Sequence, residues 1–101
     1  MARTRVAKVS EVALGTTKQV IVDGTEVLLC NVAGKIYAID DVCTHDGGPL
    51  EQGLLDGCEI ECPRHGARFD VRTGEVIALP AVVPVASYAV TLEGDQIYVD
   101  L

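Results

Sequence analysis

Tryptophan is absent and aromatic residues make up 4% of the chain, so any interior has to be built from aliphatic side chains. Positive charge is scarce too: eight Lys and Arg stand against fifteen Asp and Glu, a formal net charge of -7. Nucleic acids and anionic membrane surfaces are bound through a cationic footprint, and this balance argues against both as partners. It suits a basic protein partner, or an acidic surface that keeps a small protein in solution. No run of apolar residues reaches the ~20 that a membrane-spanning helix needs. The uncharged stretch from Val76 to Leu92 contains Pro80, Pro84, Ser87 and Tyr88, and is expected to form a strand, a loop and a second strand. The opening Met-Ala-Arg-Thr-Arg-Val-Ala-Lys has no apolar core of signal-peptide length. A cytoplasmic protein with reduced thiols is the expectation.

What the chain has in quantity is β-branched residues. Fifteen valines and six isoleucines in 101 residues favour strands, and the length suits one domain, 1–101, with a real core. Residues 4–9 read as a first strand. Residues 18–23 and 25–32 read as two strands joined by a tight turn at Gly24, and Ala33-Gly34 turns the chain into a strand at 35–40, which makes an antiparallel meander. Along that last strand Tyr37 and Ile39 share one face and Ile36 and Ala38 the other, so it is expected to be covered on both sides. Short hairpins follow at 54–61 and 67–79. Tyr88, Val90 and Leu92, a Glu93-Gly94-Asp95 turn, then Ile97, Val99 and Leu101 give a closing hairpin. The architecture expected is all-β, an antiparallel sandwich carrying a small hairpin-rich subdomain.

Histidine occurs only at His45 and His65, and each lies within three residues of a cysteine. Cys43-Thr44-His45 and Cys62-Pro63-Arg64-His65 are separated by sixteen residues. Two thiolates and two neutral imidazoles suit a tetrahedral zinc ion, or an iron-sulfur cluster in which two histidines replace two cysteines on one iron. Spacing alone leaves both open. A zinc module would ordinarily use its metal to hold a chain too small for a core, whereas this one has strands on both sides of the pairs. A cysteine nucleophile with a histidine base lacks an orienting third group and an oxyanion motif. Cys30 lies in a strand among apolar residues and Cys58 shares a strand face with Ile60, so both read as packed thiols.

With Gly66 following His65, the pattern C-x-H, sixteen residues, C-x-x-H-G resembles the fingerprint of the Rieske family. The resemblance implies one [2Fe-2S] cluster per chain, with Cys43 and Cys62 on the inner iron and His45 and His65 on the outer one. It implies a cluster-binding subdomain over about residues 41–82, a proline loop at Pro80 to Pro84 covering the cluster from a third side, and imidazole edges exposed for electron exit. It also implies an electron carrier rather than an enzyme, since both histidines are used and no residues remain for a mononuclear iron domain. The chain looks most like the small ferredoxins that pass electrons from a flavin reductase to a terminal oxygenase. The small Rieske subunits of nitrite reductases are the other resemblance. Arg64 and Arg68 are candidates for positive charge presented to a partner.

Three departures from the high-potential, respiratory members carry expectations. Their disulfide between the ligand loops falls on Gly48 and Arg64, so loop closure here is expected to rest on packing, glycine geometry and the metal. Their serine and tyrosine donors to the cluster sulfurs fall on Ala67 and Phe69, which donate nothing. A low reduction potential is the consequence.

Overall fold

The structure is a computed structural model and describes residues 3–101. Met1 and Ala2, the first residues of the stretch read for a leader, lie outside the described residues. The described residues form ten strands: β1 (Arg3–Lys8), β2 (Thr17–Val22), β3 (Thr25–Val32), β4 (Lys35–Asp40), β5 (Leu54–Asp56), β6 (Glu59–Glu61), β7 (Arg68–Asp70), β8 (Val76–Ala78), β9 (Ser87–Glu93) and β10 (Gln96–Asp100). A 3-10 turn, Val9–Glu11, follows β1. Every pairing is antiparallel, in a six-stranded sheet ordered β1-β10-β9-β4-β3-β2 and a four-stranded sheet ordered β5-β6-β7-β8.

The large sheet consists of two three-stranded halves. They join through two residue pairs of β4 and β9, Ala38 with Tyr88 and Ile39 with Ser87, and β1 touches β2 from the opposite ends of the strand order. So short a junction lets one half fold over the other. Tyr88 reinforces the corner by donating its hydroxyl hydrogen bond to Asp40. Between the halves Ala7, Val12, Val22, Val27, Leu29, Ile36, Ala38, Ile97 and Val99 form an aliphatic core.

The other face of β3 and β4 makes a second core. Alternation sends Leu28, Cys30 and Ile39 away from the sandwich, onto Ile60 and Phe69 of the small sheet and onto Cys43 and Cys62. β3 is thus covered on both faces, which is why its apolar run is continuous where a half-buried strand would alternate. The two-sided expectation for β4 holds as well: Ile36 and Ala38 face one core, Ile39 and the partly buried Tyr37 the other.

Tight turns fix the register of this central meander. Asp23 and Gly24 between β2 and β3 have φ of 50 and 80, and Ala33 and Gly34 between β3 and β4 have φ of 54 and 96. Positive φ at both central positions is the type I′ geometry, one of the two whose backbone twist matches that of the flanking strands. Ala33 accepts the strain beside Asn31, whose buried amide takes the Gly34 N–H at 2.9 Å and donates to the Val12 carbonyl at 2.7 Å. Asn31 therefore pins the turn and the chain after the 3-10 turn together. No helix of the described residues is long and apolar enough to cross a membrane.

Candidate metal centre

The two cysteine-histidine pairs occupy two turns with the same backbone pattern. In the first, the Cys43 N–H donates to the Gly48 carbonyl at 2.7 Å and the Gly47 N–H donates to the Cys43 carbonyl at 2.7 Å. In the second, the Cys62 N–H donates to the Ala67 carbonyl at 2.7 Å and the Gly66 N–H to the Cys62 carbonyl at 3.1 Å. Each closes on a glycine in the left-handed region, Gly47 at φ 75 and Gly66 at φ 77, four residues after its cysteine. The sequence signal is a repeated Cys-x-x-x-Gly, which the search for ligand spacings passes over. Because histidine is second after the cysteine in one turn and third in the other, the two rings meet from different sides.

The cysteines are fully buried and the histidines are exposed. Cys43 and Cys62 sit in the second core with Leu50, Ala67, Phe69 and Ala81. The His45 and His65 rings stand edge to face, centroids 5.0 Å apart and planes at 89°. Burial pushes the Cys43 thiol pKa up, so a metal cation is what makes its thiolate favourable in this setting. The donor set is graded in depth, two sulfurs inside and two imidazoles outside. That suits a two-iron group with chemically different ends better than one tetrahedral ion, which takes all four donors at a single point.

A third segment covers the pair. The Thr44 hydroxyl donates to the Val83 carbonyl at 2.5 Å, and Ala81 and Val85 turn inward to the core that holds both cysteines. Val82 and Val83 point outward, 77% and 55% exposed, on the stretch bounded by Pro80 and Pro84. The proline-loop expectation is met.

Asp46 is the residue that sequence reasoning missed. One of its carboxylate oxygens lies within 4.8 Å of both cysteine sulfurs, and Oδ2 is 3.6 Å from His65 Nδ1. It is held by Arg64, whose guanidinium lowers its pKa well below the usual carboxylate range. Two sequence expectations change as a result. Loop closure does not rest on packing, glycine and metal alone, because this ion pair joins the turns. Nor does Arg64 offer a free positive charge, and Arg68 is likewise engaged, with Glu59 at 3.3 Å, Glu61 at 3.0 Å and Asp56 at 3.6 Å. Cys30 is buried and its thiol is pushed up to about 12 by burial, which makes it inert; Cys58 is half-buried and outside both cores, contrary to its reading as a packed thiol.

Comparison with known proteins agrees with this geometry. The naphthalene 1,2-dioxygenase system ferredoxin component of Pseudomonas aeruginosa is 42% identical over 91 residues, 90% of this chain and 88% of that one. The ferredoxin of carbazole 1,9a-dioxygenase from Nocardioides aromaticivorans IC177 superposes with a TM-score of 0.94 at 40% identity, covering 98% of this chain and 97% of that one. A ferredoxin solved in complex with the oxygenase of carbazole 1,9a-dioxygenase has a TM-score of 0.91 at 35% identity, over 96% of this chain and 91% of that one. The sequence profile of the Rieske [2Fe-2S] domain matches residues 2–89, and the chain belongs to that family.

Proposed function

We propose that this protein is a cytoplasmic one-electron shuttle that takes electrons from an NAD(P)H-linked flavin reductase and passes them to a terminal oxygenase, with Cys43, His45, Cys62 and His65 as the cluster ligands. The observation that carries the reading is the depth grading of the donors, cysteines in the core and imidazole edges in solvent, on a chain similar over most of its length to dioxygenase ferredoxins. The cluster supplies a one-electron couple whose charge, with two neutral imidazoles, changes between zero and minus one.

The chain's own residues do the rest. His45 and His65 bring the electron to the surface, and the exposed Val82 and Val83 on the segment tied to Thr44 give a partner an apolar contact beside them. Residues 41–82 carry eight carboxylates against three arginines, and each of those arginines is paired with a carboxylate of the same segment. The partner's docking face is therefore expected to be basic around an apolar centre. A cleft of about 290 Å³ lined by Gly15, Thr16, Thr17, Gly53, Leu54 and Leu55 has no titratable side chain. The four cysteines form no disulfide, as suits a reducing compartment.

The test is an electron paramagnetic resonance spectrum of the dithionite-reduced protein, with iron and acid-labile sulfide counted on the same sample. Two irons and two sulfides per chain are expected. A colourless protein with one zinc and no sulfide would overturn the assignment.

A further inference from the structure

We infer that Asp46 and Arg64 are positioning residues: their ion pair is a clasp that holds the two ligand turns together and keeps His45 and His65 side by side. Asp46 immediately follows His45 and Arg64 immediately precedes His65. A bond between them therefore joins the turns at the two points where slippage would displace a ring. The bond is two-pronged, Arg64 Nε to Asp46 Oδ2 at 2.5 Å and a terminal guanidinium nitrogen to Oδ1 at 3.1 Å. The other terminal nitrogen donates to the Pro49 carbonyl at 3.2 Å, so the guanidinium grips the first turn at two separate places. Asp46 is itself fixed by the Gly48 N–H, which donates to Oδ1 at 2.9 Å.

Gly48 supplies an independent observation. Its φ is not in the left-handed region, so backbone conformation does not demand glycine there. Space does for as long as Arg64 keeps its seat: a Cβ would lie 2.5 Å from the central carbon of the Arg64 guanidinium and 2.6 and 2.8 Å from two of its nitrogens, and would push the side chain off. The first turn has left out a side chain where the arginine lies flat across it. A planar fork on a carboxylate, seated on a bare backbone, is geometry that lysine cannot reproduce.

The clasp is part-exposed, so its loss should barely move global unfolding. Its effect should appear as local opening of the turns, read as the rate at which the cluster is lost to a chelator. The inference rests on the ligand assignment above, which the iron and sulfide count of the unaltered protein checks separately. The experiment is a cycle of Asp46→Asn, Arg64→Gln and the double variant, each purified with its cluster. Cluster loss in excess EDTA, reduction midpoint and paramagnetic g-values are measured on all four proteins. A clasp predicts that both single variants lose the cluster roughly two- to fivefold faster, and that the double is no worse than either single. The g-values should shift in the same variants, because they report on the histidine ligands. The midpoint should instead follow charge, rising in Asp46→Asn, falling in Arg64→Gln and returning in the double. Gly48→Ala, which leaves all charges in place, should reproduce the faster loss without that pattern in the midpoint. Retention that follows charge, improving in one single variant and worsening in the other, would overturn the clasp. So would unchanged retention and g-values in all three.

Discussion

Placing hydroxyls at Ala67 and Phe69 should raise the reduction potential. Both residues are fully buried in the core that holds Cys43 and Cys62, and the Ala67 carbonyl closes the second ligand turn by accepting the Cys62 N–H. A hydroxyl added there is cut off from solvent, and the charge it would meet on reduction is that of the cluster sulfurs. A hydrogen bond to a charged group contributes roughly 1.5 to 3 kcal/mol. For one electron, 1.4 kcal/mol corresponds to about 59 mV. Each hydroxyl that reaches a sulfur should therefore raise the midpoint by roughly 65 to 125 mV, and Ala67→Ser with Phe69→Tyr by roughly 130 to 250 mV. The unaltered protein, with neither donor, should sit near about -150 mV, the bottom of the Rieske range. The assay is an optical titration of purified protein against mediators, with the single variants measured beside the double. The larger ring at position 69 enters a filled core, so stability should fall by roughly 1 to 3 kcal/mol even as the midpoint rises. A parallel urea titration keeps the two effects apart. A midpoint of the unaltered protein above about +100 mV would refute the reasoning. So would an unchanged midpoint in a double variant whose structure shows the new hydroxyls bonded to sulfur.

Further outcomes follow from the same geometry. Cys43→Ser or His65→Ala should abolish iron and sulfide binding while far-ultraviolet circular dichroism keeps its strand signature, because the sandwich core contains no ligand. Phe69→Ala should cost about 3 to 5 kcal/mol of unfolding free energy in urea, since the ring is fully buried between the small sheet and the turns. Alkali should destabilise the protein: the Cys30 thiol is pushed from 9.0 up to about 12 by burial, and the Tyr88 hydroxyl from 10.0 up to about 12 by burial and its bond to Asp40. A group protonated in the folded state and ionised in the unfolded one makes stability fall with pH. This contribution is complete below about pH 9, declines above it and is gone beyond about pH 12. Burial of the Cys30 thiol is the larger cause, so Cys30→Ala should flatten the fall in urea midpoint between pH 9 and 12.

The strands were legible because the solvent and the core impose a period of two on them; the cover on both faces of β3, which its continuous run Val27 to Cys30 reflects, was expected only for the neighbouring strand at 35–40. The proposed ligands could be picked out because Cys43, His45, Cys62 and His65 are near neighbours along the chain and histidine occurs nowhere else. The clasp could not. Asp46 and Arg64 are 18 residues apart, and each alone is an ordinary surface residue type. Only the meeting of two like-folded turns puts one carboxylate within reach of both cysteines and the guanidinium. Cys58 was misplaced for a related reason: its strand-like surroundings in sequence belong to a three-residue strand that begins one residue later.

The arginines bear on how such a carrier finds its partner. In isolation Arg64, Arg68 and Arg72 look like cationic islands beside the metal centre on an acidic protein. Folding spends each on a carboxylate of the same subdomain, Asp46, Glu61 and Asp70, at 2.5, 3.0 and 2.8 Å. A neutralised pair steers little at a distance, because the two opposite fields cancel at separations much larger than the pair itself. The surplus carboxylates remain, so long-range attraction selects basic partners, while the contact at the histidines is left to the exposed valines and the imidazole edges. Long-range attraction by the surplus carboxylates joined to a small apolar contact gives fast arrival and fast departure. The shuttle proposed above, visiting a reductase and an oxygenase in turn, needs both.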